Sequence, residues 1–161
     1  MPLYSCDQVY SKELYNECMW CAYYKLRSYK KIVLALIGVV LATALIFVFF
    51  GKYVGAAIIA LSMPIYPIIL RNTINKQIDK AWESNTAYKN LNYHVDFYDT
   101  YYESVSKNGT NKIYYDKLFG ILESEHALAL MSGNNQGSML AKNQMSEELI
   151  AFLKTKAKVI E

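Results

Sequence analysis

Cys18-Met19-Trp20-Cys21 has the spacing of a reactive thiol pair. Thiol-disulfide chemistry of the thioredoxin kind places such a pair at the start of a helix that follows a strand, where the helix dipole lowers the thiol pKa. Here the pattern falls inside a predicted helix, and no strand is expected before it. As zinc ligands the two thiols are half a site, and Cys6 is the remaining cysteine; four sulfurs would take a second copy. The favoured reading is small residues packed at an interface, because free cysteine behaves mostly as a small hydrophobe.

The other candidates for chemistry are equally isolated. His94 and His126 stand far apart in sequence, without an HExxH-like companion. Both read as surface polar residues. Asp96, Asp99 and Glu103 are neighbouring carboxylates, and acid–base work would need two of them across a pocket. The expected setting is the solvated face of a sheet. No glycine-rich phosphate loop or nucleophile elbow occurs. No enzyme activity, cofactor or metal is expected.

The elements that would position these residues begin with two apolar runs. Ile32 to Phe50 carries no charge, and neither does Tyr53 to Leu70. Each is close to the roughly 20 apolar residues that cross a bilayer as a helix. Gly51 and Lys52 separate them, so the predicted arrangement is an antiparallel transmembrane hairpin. Pro64 and Pro67 predict a kink in the second span. Gly38 and Ala42, with Ala56 and Ala60, have small-xxx-small spacing. Packing within the hairpin is the favoured reading, with a homodimer seam as the alternative. The spans carry no ionisable side chain of the kind ion pathways use.

Orientation follows from the basic residues. Lys25, Arg27, Lys30 and Lys31 precede the first span, and Arg71, Lys76 and Lys80 follow the second, while the connecting loop has only Lys52. The positive-inside rule places both termini in the cytoplasm. Lys25, Arg27, Lys30, Lys31 and Arg71 are expected to meet anionic headgroups. Asn108-Gly109-Thr110 is then on the wrong side for glycosylation and reads as a turn.

The chain divides on this reading into an N-terminal interfacial helix region (1–31), the hairpin (32–70, spans 32–50 and 53–70), a helical linker (71–89) and a sheet domain (90–161). Aromatics crowd the first region, including Tyr15, Trp20 and Tyr24, and suit either an anchor or an amphipathic lipid-sensing helix. From Asn90 the hydrophobic period changes to two: Tyr93, Val95 and Phe97 alternate with His94, Asp96 and Tyr98. Strands are predicted over 101–107, 110–115, 126–131 and 138–142, with the run 116–122 continuing the third, and Asn108-Gly109 supplying a hairpin turn. Ser146 caps a final helix with Ile150, Leu153, Ala157 and Ile160 on one face. The fold class is α+β: a two-span hairpin, then a small antiparallel sheet covered by a C-terminal helix.

This order of parts resembles the YcxB-like family of small bacterial membrane proteins. The residues that carry the resemblance are the hairpin, the segment Asn111-Lys112-Ile113-Tyr114-Tyr115-Asp116-Lys117-Leu118-Phe119-Gly120-Ile121-Leu122-Glu123, then His126 to Met131, Met139 to Lys142 and the helix Ser146 to Lys158. The resemblance implies a cytoplasmic domain related to the pleckstrin-homology fold, and it implies no particular activity. Family members often read Pro-Lys where this chain has Ala141-Lys142.

The function expected from these features is a membrane-anchored, non-catalytic interaction or regulatory module. Its partners would be the lipid bilayer and a protein, with a homo-oligomer as a further arrangement. The net charge of +3, without a basic stripe, does not suit nucleic acid. The alternatives are a self-protection protein against a membrane-active peptide or toxin, and an accessory subunit of a transporter or secretion complex.

Overall fold

A computed structural model describes residues 1–27, 29–86, 88–133 and 136–160. The chain forms two compact units. One joins residues 1–27 to 81–161, and the other spans 28–80.

The second unit is the apolar one. Helix α2 (Tyr29–Phe49) packs on α3 (Tyr53–Leu61), and α4 (Ile65–Ser84) continues from α3 after a short break. Gly51 ends α2 with φ +71°, a conformation that suits a residue without Cβ. The Lys52 N–H donates to the Phe47 carbonyl at 2.8 Å and the Gly51 N–H to that of Val48 at 2.9 Å, which closes the helix as a Schellman motif. Val40 and Ala56 are buried between the helices, and Gly55 lies where a Cβ would come within 2.7 Å of the Phe47 ring. The seam therefore runs through Gly55 and Ala56. Of the small residues singled out for helix packing, Ala56 is in this seam, while Gly38, Ala42 and Ala60 are exposed.

Pro64 has no N–H to offer Ala60. The Ala60 carbonyl instead accepts from the Met63 N–H at 3.2 Å, and the Ser62 hydroxyl donates to Ile59 at 2.7 Å. The helix breaks there, and Pro67 falls in the first turn of α4, where a missing N–H costs little. The stretches Tyr29–Phe49 and Tyr53–Ser84 are each long and apolar enough to cross a membrane.

The first unit holds two four-stranded sheets. Strands β1 (Tyr4–Tyr10), β2 (Leu91–Phe97), β3 (Tyr101–Ser106) and β4 (Gly109–Tyr114) form an antiparallel meander in that order. The second sheet has the order β7-β6-β5-β8, from β5 (Gly120–Glu123), β6 (Ala127–Gly133), β7 (Gln136–Ala141) and β8 (Val159–Ile160). β8 runs parallel to β5 and the other pairs are antiparallel.

Three expectations are corrected. The first ten residues, grouped with the N-terminal helix region, hold a strand instead, since Tyr4–Tyr10 pairs along its length with β2. The sheet domain is not the continuous segment 90–161, because residues 1–27 complete it. One sheet is in fact two, because a 3-10 turn at Tyr115–Lys117 interrupts the run 116–122 and lets β5 start a new sheet. In the β3–β4 turn Gly109 has φ +127° while Asn108 does not take a positive φ, so Lys107 and Asn108 form the loop and Gly109 closes it.

Burial explains the second sheet's composition. Ile121, Leu128, Leu130 and Leu140 face the first sheet's Val95, Phe97 and Tyr102, together with Leu149 and Leu153 of helix α5 (Glu147–Lys156). Leu122, Ala127, Ala129 and Met131 turn the other way, onto Leu14 and Cys18 of helix α1 (Lys12–Lys25). Both faces are covered, so β6 reads as a continuous apolar run rather than an alternation. Ser11 and Ser146 cap α1 and α5, each accepting from a backbone N–H at 3.2 Å.

Candidate functional site

A cavity of 830 Å³ runs along the free edge of β7, inside the first unit. Helix α1 supplies Cys18, Ala22 and Leu26, the inner face of the first sheet supplies Tyr93 and Ile113, and the second sheet supplies Met139. Its position follows from the topology. The first sheet packs on one face of the second sheet and α1 on the other, and the edge strand β7 lies between them.

Tyrosine hydroxyls tie the edge down. Tyr93 donates to the Met139 carbonyl, and Tyr102 shares a hydrogen bond with Ser138 at 2.9 Å. Burial pushes the Tyr102 phenol up to about 12 and raises those of Tyr10, Tyr15 and Tyr93. These phenols stay protonated at ordinary pH. Arg27 lies over the Tyr23 ring at 4.7 Å, and both belong to the cavity wall.

The thiols are structural in character. Cys18 is 4% exposed, and burial raises its pKa strongly. Burial also raises Cys21, whose thiol donates to the Glu123 carbonyl at 3.4 Å, and Cys6. A strand does precede α1, contrary to expectation, but the thiol pair sits in the middle of the helix rather than at its start. The dipole therefore gives Cys18 no help in ionising. No cluster of three metal-binding side chains occurs among the described residues.

The basic residues have separate surroundings. Lys25 donates to the Ile160 carbonyl at 2.8 Å and so fastens β8 to α1. Arg27 ends α1, Lys30 and Lys31 are exposed in the first turn of α2, and Arg71 is exposed on α4.

His94 stands on the outer face of the first sheet with a carboxylate at each ring nitrogen. Asp7 is 2.7 Å from Nδ1 and Asp96 is 3.3 Å from Nε2. The hydrogen bond to Asp7 raises the imidazole pKa, burial opposes it, and the Asp96 charge adds to the rise. Ser5 donates to the same Asp96 oxygen at 2.5 Å, and Asp96 lies opposite Glu103 across β2 and β3. Asp99 is elsewhere, paired with Lys156 at 2.6 Å. His126 is exposed beside Glu125. The carboxylates and histidines thus decorate the sheet surface and a turn, away from the cavity wall.

Two residues that hold the site together were not singled out in the sequence. Gln8 is 1% exposed, accepting from the Ala141 N–H at 2.7 Å. Glu17 of α1 accepts from the Ser124 hydroxyl at 2.5 Å and the His126 N–H at 2.8 Å. The alternation of Cys6 and Gln8 with Ser5, Asp7 and Val9 is the signal that marks β1 and could have located the first of them.

Residues 97–157 match the family model of the YcxB-like proteins. The match runs from the end of β2 through α5, and leaves out β1 and α1. No curated protein matches the chain. No solved structure matches it.

Proposed function

We propose that this chain, in which residues 97–157 are a YcxB-like segment, is a membrane-anchored, non-catalytic interaction module. A two-helix hairpin holds a pleckstrin-homology-like domain at the cytoplasmic leaflet, where the domain binds a partner. The observation that carries this reading is the pairing of β1 with β2. The two strands lie on either side of the apolar helices in the chain, yet they share one row of hydrogen bonds. A bilayer cannot run between them, so the intervening chain crosses an even number of times.

Other features support the reading. Only 6% of each apolar window is buried, which suits a lipid-facing helix and not the core helix of a water-soluble protein. Basic residues flank the pair on the side of the folded unit, against Lys52 alone in the loop. Two sheets with a C-terminal helix in their shared core agree with a pleckstrin-homology-like arrangement. The cavity wall offers neutral phenols and a thiol held protonated by burial, which favours holding a ligand over transforming one.

Co-purification of the tagged full-length chain in gentle detergent, with cross-linking and mass spectrometry, tests the module. A stoichiometric partner cross-linked to residues between Asn90 and Lys158 is the expected result. Recovery of the chain with lipid alone would contradict a constitutive protein-binding role.

A further inference from the structure

The cavity along β7 has three properties that together specify a ligand. Its lining includes the partly buried apolar side chains Met139 of β7, Ile113 of β4, and Ala22 and Leu26 of α1, beside hydroxyl and amide groups such as those of Ser104 and Asn111. Among the described residues of its wall, the formally charged one is Arg27, exposed just past the end of α1. Its wall also takes residues from both chain segments that adjoin the apolar helices: Arg27 just ahead of α2, and Asn85 and Tyr88 just after α4. The volume of 830 Å³ falls among small-molecule sites, which span about 300–1,000 Å³.

We propose that the cavity binds an anionic amphiphile with one acyl chain, the tail along these apolar side chains and the headgroup at Arg27. This rests on the membrane reading above, since a bilayer presents such molecules to the segments that wall the cavity. The shared chemistry is an acyl tail with a carboxylate or phosphate head, as in a free fatty acid or a lysolipid. An extended peptide adding to the β7 edge is disfavoured, because Tyr93 already occupies the Met139 carbonyl and Tyr102 engages Ser138.

The test uses the full-length chain in phosphatidylcholine nanodiscs, with a dansyl-labelled undecanoic acid as probe and its uncharged amide as control. Saturable binding above that of empty nanodiscs is expected. Arg27→Gln, on an exposed helix end, should weaken the acid about tenfold and leave the amide unchanged, as loss of a charge-assisted hydrogen bond does. Ala22→Trp should remove binding of both. Displacement by oleate points to free fatty acids, and displacement by lysophosphatidate alone to a lysolipid. Displacement by neither, or equal binding of acid and amide to wild type and Arg27→Gln, overturns the inference. Alkaline carbonate extraction keeps the two claims apart: a chain washed from membranes contradicts the membrane reading, while a retained chain that binds no probe contradicts the cavity inference alone.

Discussion

Cys6 and Val95 lie directly opposite each other in the β1–β2 pairing, and the whole apolar hairpin lies between them in the chain. Both are buried in the core that α5 closes. The first sheet is therefore complete only once the segments on both sides of residues 28–80 have met.

The core under α5 should be sensitive to cavity formation. Leu153 is 0% exposed, in contact with the cluster around Val95 and Leu128. Leu153→Ala is expected to destabilise the unit by about 2–5 kcal/mol. Ser146→Ala, which removes the α5 cap, is expected to cost about 1 kcal/mol. Thermal unfolding of the detergent-solubilised variants, followed by circular dichroism, checks the order of the two.

The backbone N–H of Ala141 is used. It donates to Gln8 at 2.7 Å, in a setting where Gln8 is sealed from water. Ala141→Pro removes that donor and leaves a buried carbonyl unpaired, a loss of about 1–3 kcal/mol. Gln8→Leu combined with Ala141→Pro should recover part of the loss. A double-mutant cycle reads the coupling, and additive losses would contradict it.

His94 should titrate above its ordinary value, because Asp7 hydrogen bonds its ring and Asp96 adds negative charge. A raised histidine pKa means stability that is fully present below the unfolded value, about 6.5, and is lost as pH rises through the folded one. Half-exposure of the ring keeps the effect modest. Asp7→Asn is expected to lower the His94 midpoint in an NMR titration, and an unchanged midpoint would show that Asp7 does not act on the ring.

Glu123 behaves in the opposite sense. Lys142 at 2.8 Å and Lys154 at 2.7 Å lower its pKa, with Lys142 the larger cause. Its contribution is present above the ordinary carboxylate range and is lost as pH falls through the lowered value. Glu123→Gln should flatten the acid side of the stability curve while leaving the alkaline side as it was. The comparison needs only unfolding curves at a series of pH values.

The apolar helices were legible as uncharged runs of helix length, and β2, β3 and α5 by their periodicity; α5 stops at Lys156, however, and Ile160, expected on its face, lies in β8 instead. What was missed depends on distant parts of the chain. Tyr4–Tyr10 alternates like a strand, but its crowd of neighbouring aromatics also suits a membrane interface, and only the pairing with β2 decides between them. The run 116–122 is apolar throughout, so its spacing cannot reveal that Tyr115–Lys117 turns and sends β5 to another sheet. The cavity was illegible for the same reason. Its wall draws Ala22, Tyr93 and Met139 from three separate segments, and no local pattern links them. For the small-residue pairs, spacing gives a face but not the partner: Ala56 is in the seam, and Gly38 faces outward.

The most direct measurement is site-specific labelling of single cysteines in membrane vesicles of both orientations, on a background in which Cys6, Cys18 and Cys21 are serine. Lys52→Cys marks the loop between the apolar helices, and Lys107→Cys marks the β3–β4 turn. With a membrane-impermeant maleimide, Lys52→Cys should react only from the external face and Lys107→Cys only from the cytoplasmic face. Reaction of both positions from one face would contradict the membrane-spanning hairpin on which the account rests.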